Sequence, residues 1–434
     1  MAAPRSDAEG PTREHDRRLP ENGTVHTAAL ENSEGRQMNT VETVCWGGLV
    51  ADAASMGFHW MYDQGTIKEL GGDAPEFHDP SSTASSYKRN AELESTFVHQ
   101  GRKPGDMTQY GEQLLVIIKA LARNDGKLIQ TEYEKEFKDF FGPGGAWVGY
   151  IDRPTGRVLY NLEKRNRDAY ERARSFDNGL TESEKDVLDD EVRVSFKFYD
   201  DTKSVDENLE ILDGWVLRKS DYKRDHEKDR MKIDYCRNMF FVVRDCEKQF
   251  CGDVGDDQFP AIAKLPPVVA LYYQGKNYDE MVELAVRVTN NNDKAVAYAT
   301  VYADMLKAAI ETRDKGSVIA AARARANEEI GEAIKTSLSM LERPHTEVGK
   351  FFGPSCHLPY GLPQTIHLIS NCKSYVEGVR MNISVGGDNA GRSIMVGAIL
   401  AALYGVGTAD GLPETWIDKL TKRQEIAGLL EKLA

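Results

Sequence analysis

Gly386-Gly387-Asp388-Asn389 precedes an apolar run from Ile394 to Tyr404, and Gly405 closes that run. A carboxylate such as Asp388 can cap the free N–H groups at a helix start, and glycine suits the left-handed residue that follows a helix end. The pattern therefore predicts a glycine loop that leads into a buried helix. Small residues recur along the run, so we expect neighbouring helices to approach closely and this helix to lie in the middle of a bundle.

Two further acidic residues are associated with predicted helices. Asp52 lies in an apolar, small-residue helix from Val44 to Gly57. Asp106 and Gln109 have the spacing of a capping box, which places Glu112 in the first helical turn, where the helix dipole favours an anion. Each acid is either a satisfied structural group or part of a ligand site.

Two loops add more polar groups. The segment Trp147–Asp152 is rich in glycine and aromatic residues, and Gly255-Asp256-Asp257-Gln258 carries two adjacent acids. Because adjacent side chains point in different directions, at least one of these acids is free for a role in a cleft. A packed turn and a solvated turn are the alternatives. A lone histidine in a bend-rich connector, His357, is interpreted as a hydrogen-bonded structural residue.

The composition excludes several classes of protein. The chain has 434 residues, of which 41% are hydrophobic, so it can bury a substantial core. Its formal net charge of -14 argues against a nucleic-acid surface, which needs clustered Lys and Arg. The first residues contain no apolar signal-peptide core, and no apolar run is as long as a membrane span. We expect a cytoplasmic protein that binds neither nucleic acid nor membrane.

Shifts in composition divide the chain. Residues 1–38 are polar and rich in Pro, Gly and Ser, which predicts a disordered tail. Residues 39–162 and 253–434 carry the helical patterns. Residues 163–252 are strongly charged and form a predicted insertion that is partly β or disordered, because Val192–Phe198 alternates with strand period and could pair with Trp215–Leu217. We expect this insertion to be solvated or to contact a protein partner.

Several motifs resemble those of one enzyme family. Gly-Gly-Asp, a small-residue helix and then Pro413-Glu414-Thr415-Trp416 resemble the C-terminal signature of the ADP-ribosylglycohydrolase family. The Gly386–Asn389 stretch is similar to its J-crystallin and selenoprotein J branch, as are His59–Asp63 and Gly149-Tyr150-Ile151-Asp152. The resemblance covers residues from roughly 40 to 160 and from roughly 253 to 425.

This resemblance implies an all-α bundle whose cleft lies at the starts of several helices. In active relatives two Mg²⁺ ions held by carboxylates orient the ribose diol of an ADP-ribosyl group, and a carboxylate-activated water cleaves the anomeric bond. By matching motifs, Glu112 is implied as the catalytic residue, and Asp388, Glu112 and Asp52 as metal ligands. The implied substrate-binding residues are Tyr110, Gly111, Gln113, Tyr150, Asp152, Asp256, Asp257, Gln258, Gly387 and Asn389.

The chain departs from the pattern of the active relatives. Their Thr-Asp-Asp-Thr is replaced here by Tyr110-Gly111-Glu112-Gln113, and their second acid after Gly-Gly-Asp is replaced by Ala390. A pair of Mg²⁺ ions needs several oxygen ligands, so we expect one ion or none.

Two interpretations follow. The chain is a divergent hydrolase that cleaves an ADP-ribosyl or related N- or O-glycosidic bond in a small-molecule or ADP-ribosylated substrate. Alternatively, it is a non-catalytic, crystallin-like structural or ligand-binding protein on the same fold.

Overall fold

The computed structural model describes residues 30–31, 37–89, 97–185, 188, 203, 207–208 and 226–434, and helices dominate them. The first helices are α1 (Thr40–Ser55), α2 (Gln64–Gly71), α3 (Pro80–Arg89), α4 (Gln109–Arg123), α5 (Gln130–Phe141), α6 (Arg153–Asn178), α7 (Glu182–Lys185) and α8 (His226–Glu247). They are followed by α9 (Leu265–Tyr272), α10 (Tyr278–Thr289), α11 (Asp293–Thr312), α12 (Lys315–Arg325), α13 (Glu328–Leu338), α14 (His345–Phe352), α15 (Leu358–Asn371), α16 (Tyr375–Val385), α17 (Asn389–Tyr404), α18 (Glu414–Ile417) and α19 (Arg423–Leu430). Two strands of two residues, β1 (Leu30–Glu31) and β2 (Gln37–Met38), pair in antiparallel orientation before α1. The predicted all-α class is confirmed.

Helix α17 lies at the centre of the bundle, as the glycine loop and apolar run predicted. Asp388 caps its start by accepting a hydrogen bond from the Gly391 backbone N–H at 2.9 Å, and Gly405 follows its end with a positive φ of 84°. Every residue from Asn389 to Leu403 is buried. Helix α17 packs along α1 in the core, so two helices that are far apart in sequence are in close contact.

Glycines set the distance between these two helices. A Cβ atom at Gly397 would overlap the carbonyl oxygen of Gly47, and a Cβ at Gly47 would overlap the backbone and side chain of α17. The two helix backbones thus touch directly, which is what the small residues of the apolar run predicted.

The start of α4 differs from the predicted capping box. The N-cap is Thr108, whose hydroxyl accepts a hydrogen bond from Tyr110 N at 3.2 Å. Asp106 instead accepts from Lys103 N at 2.9 Å and from the Thr421 hydroxyl at 2.8 Å, so its carboxylate holds a turn and the C-terminal segment. The predicted capping box is wrong because the hydroxyl of Thr108, which is nearer to the helix start, takes the N-cap position.

The described part of the charged insertion is helical. Helix α6 runs through residue 163, and α8 packs against it over a small separate core that contains Ile233, Cys236 and Met239. The strands predicted at 192–198 and 215–217 lie outside the described residues, and so does most of the tail predicted over 1–38. Among the helices that the structure describes, none combines the length and the apolar character needed to cross a membrane.

Candidate functional site

The carboxylate of Asp388 lies in a buried hydrogen-bonded chain. His59 donates to one of its oxygens through Nε2 at 3.0 Å, and the Tyr110 hydroxyl donates to the other at 2.8 Å. The second ring nitrogen of His59 lies 2.8 Å from Nε2 of His99. All four side chains are buried. Together with the cap to α17, these contacts use both oxygens of Asp388.

Backbone contacts of the glycine loop hold Asp388 in this position. Gly387 donates to the Met61 carbonyl at 2.8 Å and accepts from Trp60 N at 2.7 Å, and its φ of 63° lies in the left-handed region. A Cβ atom there would overlap the carbonyl oxygen of Pro354, which also accepts from Asp388 N at 2.9 Å. Gly387 is therefore fixed by close backbone approach on both sides.

Asn389 serves the same junction. Its side-chain amide donates to the Phe58 carbonyl at 3.1 Å, and its own carbonyl accepts from the Asn382 side chain at 2.8 Å. The side chain is fully buried. Both implied substrate-binding residues of the loop, Gly387 and Asn389, thus hold the loop against neighbouring segments.

Two basic side chains, His59 and Arg392, lie near the Asp388 carboxylate. Burial alone would raise the pKa of Asp388, yet the charge and hydrogen bond of His59, with the Tyr110 hydroxyl, hold it below its usual value. Arg392, one turn along α17, is buried and donates to Asn382 and to the Gly386 carbonyl. Burial lowers the pKa of Arg392 to about 10, against the charge of Asp388, which favours the charged guanidinium.

Glu112 is paired with a lysine from the end of the chain. Lys422 Nζ donates to both carboxylate oxygens, at 2.6 and 2.7 Å. Burial raises the pKa of Glu112, and the Lys422 charge opposes that shift. The pair fastens the segment before α19 to the first turn of α4. The implied catalytic carboxylate therefore has both oxygens bound to a protein cation.

Asp52 is satisfied by the start of α4. It accepts from Thr108 N at 2.8 Å and from the Thr108 hydroxyl at 2.5 Å. A Cβ atom at Gly111 would overlap the Asp52 carboxylate. Gly111 is thus a packing residue, and the carboxylate of Asp52 occupies the space that a side chain at position 111 would need.

The implied metal ligands do not fit a magnesium site. Mg²⁺ requires carboxylate and other oxygen ligands with free lone pairs in near-octahedral geometry. The oxygens of Asp388, Glu112 and Asp52 instead accept hydrogen bonds from separate protein donors. Across the described ranges, no group of three or more His, Cys, Asp or Glu side chains is arranged to hold a metal ion.

The buried carboxyl of Asp52 predicts a pH dependence of stability. Burial raises its pKa to about 7, while hydrogen bonds from Thr108 oppose the shift. An unfolded aspartate has a pKa near 3.9, so the folded state keeps a proton that the unfolded state loses, and stability falls as the pH rises towards 7. Asp52→Asn removes this titration. Its stability relative to the wild type should therefore be greater at pH 8 than at pH 5, by on the order of 2 kcal/mol in urea unfolding.

The exposed helix cap Asp314 provides the matched control. Hydrogen bonds from Ser317 lower its pKa, so Asp314→Asn should show no such gain between the two pH values. An Asp52→Asn effect that is the same at both pH values would contradict the prediction.

The adjacent acids of the second loop both have protein partners. Asp256 accepts from Gln258 N at 2.9 Å and from the Asn290 side chain at 3.0 Å. Asp257 is bound to Nδ1 of His357 by a very short contact, and hydrogen bonding by Asp257 raises the pKa of His357. His357 is thus a hydrogen-bonded residue, as predicted, and the acid that it binds is Asp257 rather than Asp256.

Asp152 differs from these acids. One of its oxygens accepts from Thr155 N at 2.9 Å, at the start of α6, and the other has no partner although the side chain is buried. Burial raises the pKa of Asp152 to about 7, the hydrogen bond from Thr155 opposes this, and the charges of Asp256 and Asp388 add to it. Asp152, Asp256 and Asp388 therefore share one electrostatic neighbourhood.

Two aromatic residues lie beside this acidic neighbourhood. The ring of Tyr150, which is 38% exposed, packs edge-on against Trp60 with centroids 4.9 Å apart. The neighbouring Val148 is 82% exposed. Tyr150 is thus partly exposed, whereas the acids and Tyr110 are buried, and we name Asp152, Asp256, Asp388, Tyr110 and Tyr150 together the candidate cleft.

Sequence reasoning missed three residues that complete these contacts. His59 is the first residue of the His59–Asp63 motif, so its place in a family motif could have indicated a role in the site. His99 lies in a polar loop and Lys422 lies far from Glu112 in sequence, so neither carried a local signal. Only the fold brings His59 to Asp388, His99 to His59 and Lys422 to Glu112.

Comparisons of the sequence with known proteins point to one family. The model of a family described as ADP-ribosylglycohydrolase matches residues 197–434, more than half of the chain. Crystallin J1A of Tripedalia cystophora is 24% identical over 393 residues, which cover 89% of this chain and 94% of the relative. Crystallin J1B of the same organism is 26% identical over 212 residues, which cover 48% of this chain and 65% of the relative. A solved structure of an ADP-ribosylglycohydrolase-related protein complex aligns with a TM-score of 0.48 and 15% identity, covering 91% of this chain and 96% of that chain. The family match confirms the predicted membership: this chain belongs to the ADP-ribosylglycohydrolase family.

Proposed function

We propose that this chain is a ligand-binding member of its family, which takes an ADP-ribosyl or related glycosyl ligand in the candidate cleft without a metal ion. The observation that carries the proposal is the use of all three implied metal ligands by protein donors. Asp388 is bound by His59 and Tyr110, and Glu112 is bound by Lys422. A metal ion at these carboxylates would have to compete with the protein donors for the same oxygens.

The same contacts argue against Glu112 as a catalytic base. A general base needs a free lone pair within hydrogen-bond reach of the attacking water. Both Glu112 oxygens accept from Lys422, and the side chain is buried. In this chain the role of the pair is to hold the C-terminal segment on α4.

Retained polar groups support binding over a purely structural role. Buried polar atoms in native proteins are nearly always hydrogen-bonded, and exceptions call for an explanation. Asp152 keeps a buried oxygen without a partner beside Asp256 and Asp388. A ligand in the cleft would supply the missing hydrogen bond. The crystallin names of two relatives are consistent with a non-catalytic use of this fold.

Isothermal titration with ADP-ribose tests the proposal. We expect binding with the same Kd in millimolar Mg²⁺ and in EDTA. Asp388→Asn should weaken it by about tenfold, because an amide in place of the carboxylate disrupts the hydrogen bonds that place Tyr110 and His59. Asp314→Asn is the matched control, since Asp314 also caps a helix but is exposed, on α12, and it should leave Kd unchanged.

Two other results would refute the proposal. Binding of ADP-ribose that requires Mg²⁺ would favour a metal-dependent hydrolase. No binding of ADP-ribose under either condition would favour a structural protein.

One observation favours a second candidate, hydrolysis of a glycosidic bond without metal. A carboxyl group with a pKa of about 7, such as Asp152, can act as a general acid near neutral pH. It would give its proton to the leaving group while water attacks the anomeric carbon and loses a proton to solvent. Release of ADP-ribose from an ADP-ribosylated substrate in EDTA, lost in Asp152→Asn, would support this candidate.

A further inference from the structure

Three buried polar atoms without partners belong to side chains at one junction. Gln109 Nε2, Gln113 Oε1 and Asp152 Oδ2 have no hydrogen-bond partner, and their side chains are almost fully buried. Gln109 and Gln113 are one turn apart on α4 and therefore share a face. Asp152 caps the start of α6, opposite that face.

Hydrogen bonds to the start of α6 orient each of these side chains. Gln109 accepts from Asp152 N through Oε1 at 3.0 Å, which leaves its NH₂ group as a donor. Gln113 donates through Nε2 to the Thr155 hydroxyl at 3.0 Å, which leaves its carbonyl as an acceptor. Thr155 N donates to Asp152 Oδ1, which leaves Oδ2 as a second acceptor. The junction thus offers one donor and two acceptors.

We propose that Gln109, Gln113 and Asp152 form a subsite for a primary carboxamide group. A carboxamide presents two N–H donors and one carbonyl acceptor in a plane, which complements the two free acceptors and the one free donor. A carboxylate would place its oxygens against Gln113 and Asp152 and is rejected. A guanidinium has no acceptor for the Gln109 amide.

The subsite lies in the candidate cleft, so the proposal rests on the proposed function. Asp152 follows the loop that contains the exposed residues Val148 and Tyr150. The ring of Tyr150 contacts Trp60, and the backbone N–H of Trp60 donates to the carbonyl of Gly387, which precedes Asp388. A ligand that reaches Asp388 along this loop would therefore pass the carboxamide subsite.

The experiment compares nicotinamide with nicotinate by ligand-observed NMR titration of the full chain. The two probes share ring and shape but carry a carboxamide and a carboxylate. At about pH 8, where Asp152 is ionised, we expect nicotinamide to bind at least ~10-fold more tightly than nicotinate.

Asp152→Asn is the decisive variant because it is isosteric. It keeps the carbonyl that accepts from Thr155 N and converts the free acceptor into a donor. Nicotinamide binding should weaken by about tenfold, and its preference over nicotinate should shrink by the same factor. Gln113→Leu should also weaken nicotinamide binding. If that variant fails to fold, the Asp152→Asn result stands alone.

Tyr133→Phe is the matched control. The Tyr133 hydroxyl on α5 is likewise buried and without a partner, so its removal tests the effect of deleting any such atom. This variant should bind nicotinamide as the wild type does.

Two results would overturn the subsite. Equal binding of both probes, unchanged in Asp152→Asn, would show that the three atoms do not select the ligand. No binding of nicotinamide to the wild type would mean that they face buried water. ADP-ribose is titrated in parallel. If ADP-ribose does not bind but nicotinamide is still preferred over nicotinate, only the proposed function is refuted. If ADP-ribose binds but nicotinamide is not preferred, only the subsite is refuted.

Discussion

Gly387→Ala should lower the free energy of unfolding by about 4 kcal/mol. Alanine pays roughly 1 kcal/mol for the left-handed conformation that Gly387 adopts, and its Cβ would overlap the Pro354 carbonyl, which costs about 3 kcal/mol more. Because domains are stable by only about 5–15 kcal/mol, this is a large share. The midpoint of urea unfolding measures the loss at unchanged m-value.

The same substitution in an open position provides the control. Gly428 lies within α19, and a Cβ atom there meets nothing within 4 Å. Gly428→Ala should raise stability by about 0.5–1 kcal/mol, because alanine favours the helix. If Gly387→Ala were tolerated as well as Gly428→Ala, the close backbone approach around Asp388 would be refuted.

Lys422→Met should lower the free energy of unfolding by about 3 kcal/mol at neutral pH. Removal of Lys422 leaves the buried carboxylate of Glu112 without its ion-pair partner, which is far more costly than loss of a surface ion pair. Burial then raises the pKa of Glu112 further, opposed by the remaining charges of Arg102 and Lys119, so the folded state takes up a proton as the pH falls. The loss should therefore shrink between pH 7 and pH 4, as urea unfolding at both pH values will show.

Lys119→Met is a close control for this variant. Lys119 and Lys422 lie over the same Phe140 ring, both at 5.3 Å, but the partner of Lys119 is the exposed Glu425. That pair should contribute less than about 1 kcal/mol. Equal losses in the two variants would show that burial of Glu112 is unimportant. A smaller loss in the double variant Glu112→Gln/Lys422→Met would measure the coupling between the partners.

Local patterns sufficed for the fold because helix signals are short-range. The glycine loop, the apolar run and Gly405 predicted α17 with a cap at Asp388 or Asn389, and in the structure the cap is Asp388. The spacing of apolar residues also predicts helices over 278–288 and 294–311, and these correspond closely to α10 and α11. The cap of α4 failed because two candidate residues, Asp106 and Thr108, stood within one turn of the helix start.

The candidate site was only partly predictable because its contacts are long-range. Motif matching selected Asp388, Glu112 and Asp52, but it could not show that His59, Lys422 and Thr108 occupy their oxygens. Residue type alone does not distinguish a metal ligand from a capped or ion-paired acid. That distinction depends on hydrogen bonds and ion pairs between residues that are far apart in sequence, and only the folded structure shows them.

The glycine contact between α1 and α17 also bears on the order in which the chain is made. Helix α1 leaves the ribosome long before its partner α17, because most of the described helices lie between them in sequence. Contacts so distant in sequence form slowly, and apolar surface that waits for its partner is prone to aggregation. The face of α1 that packs on α17 therefore stays uncovered while the segment between them is made, so we expect this face to be exposed to aggregation during synthesis.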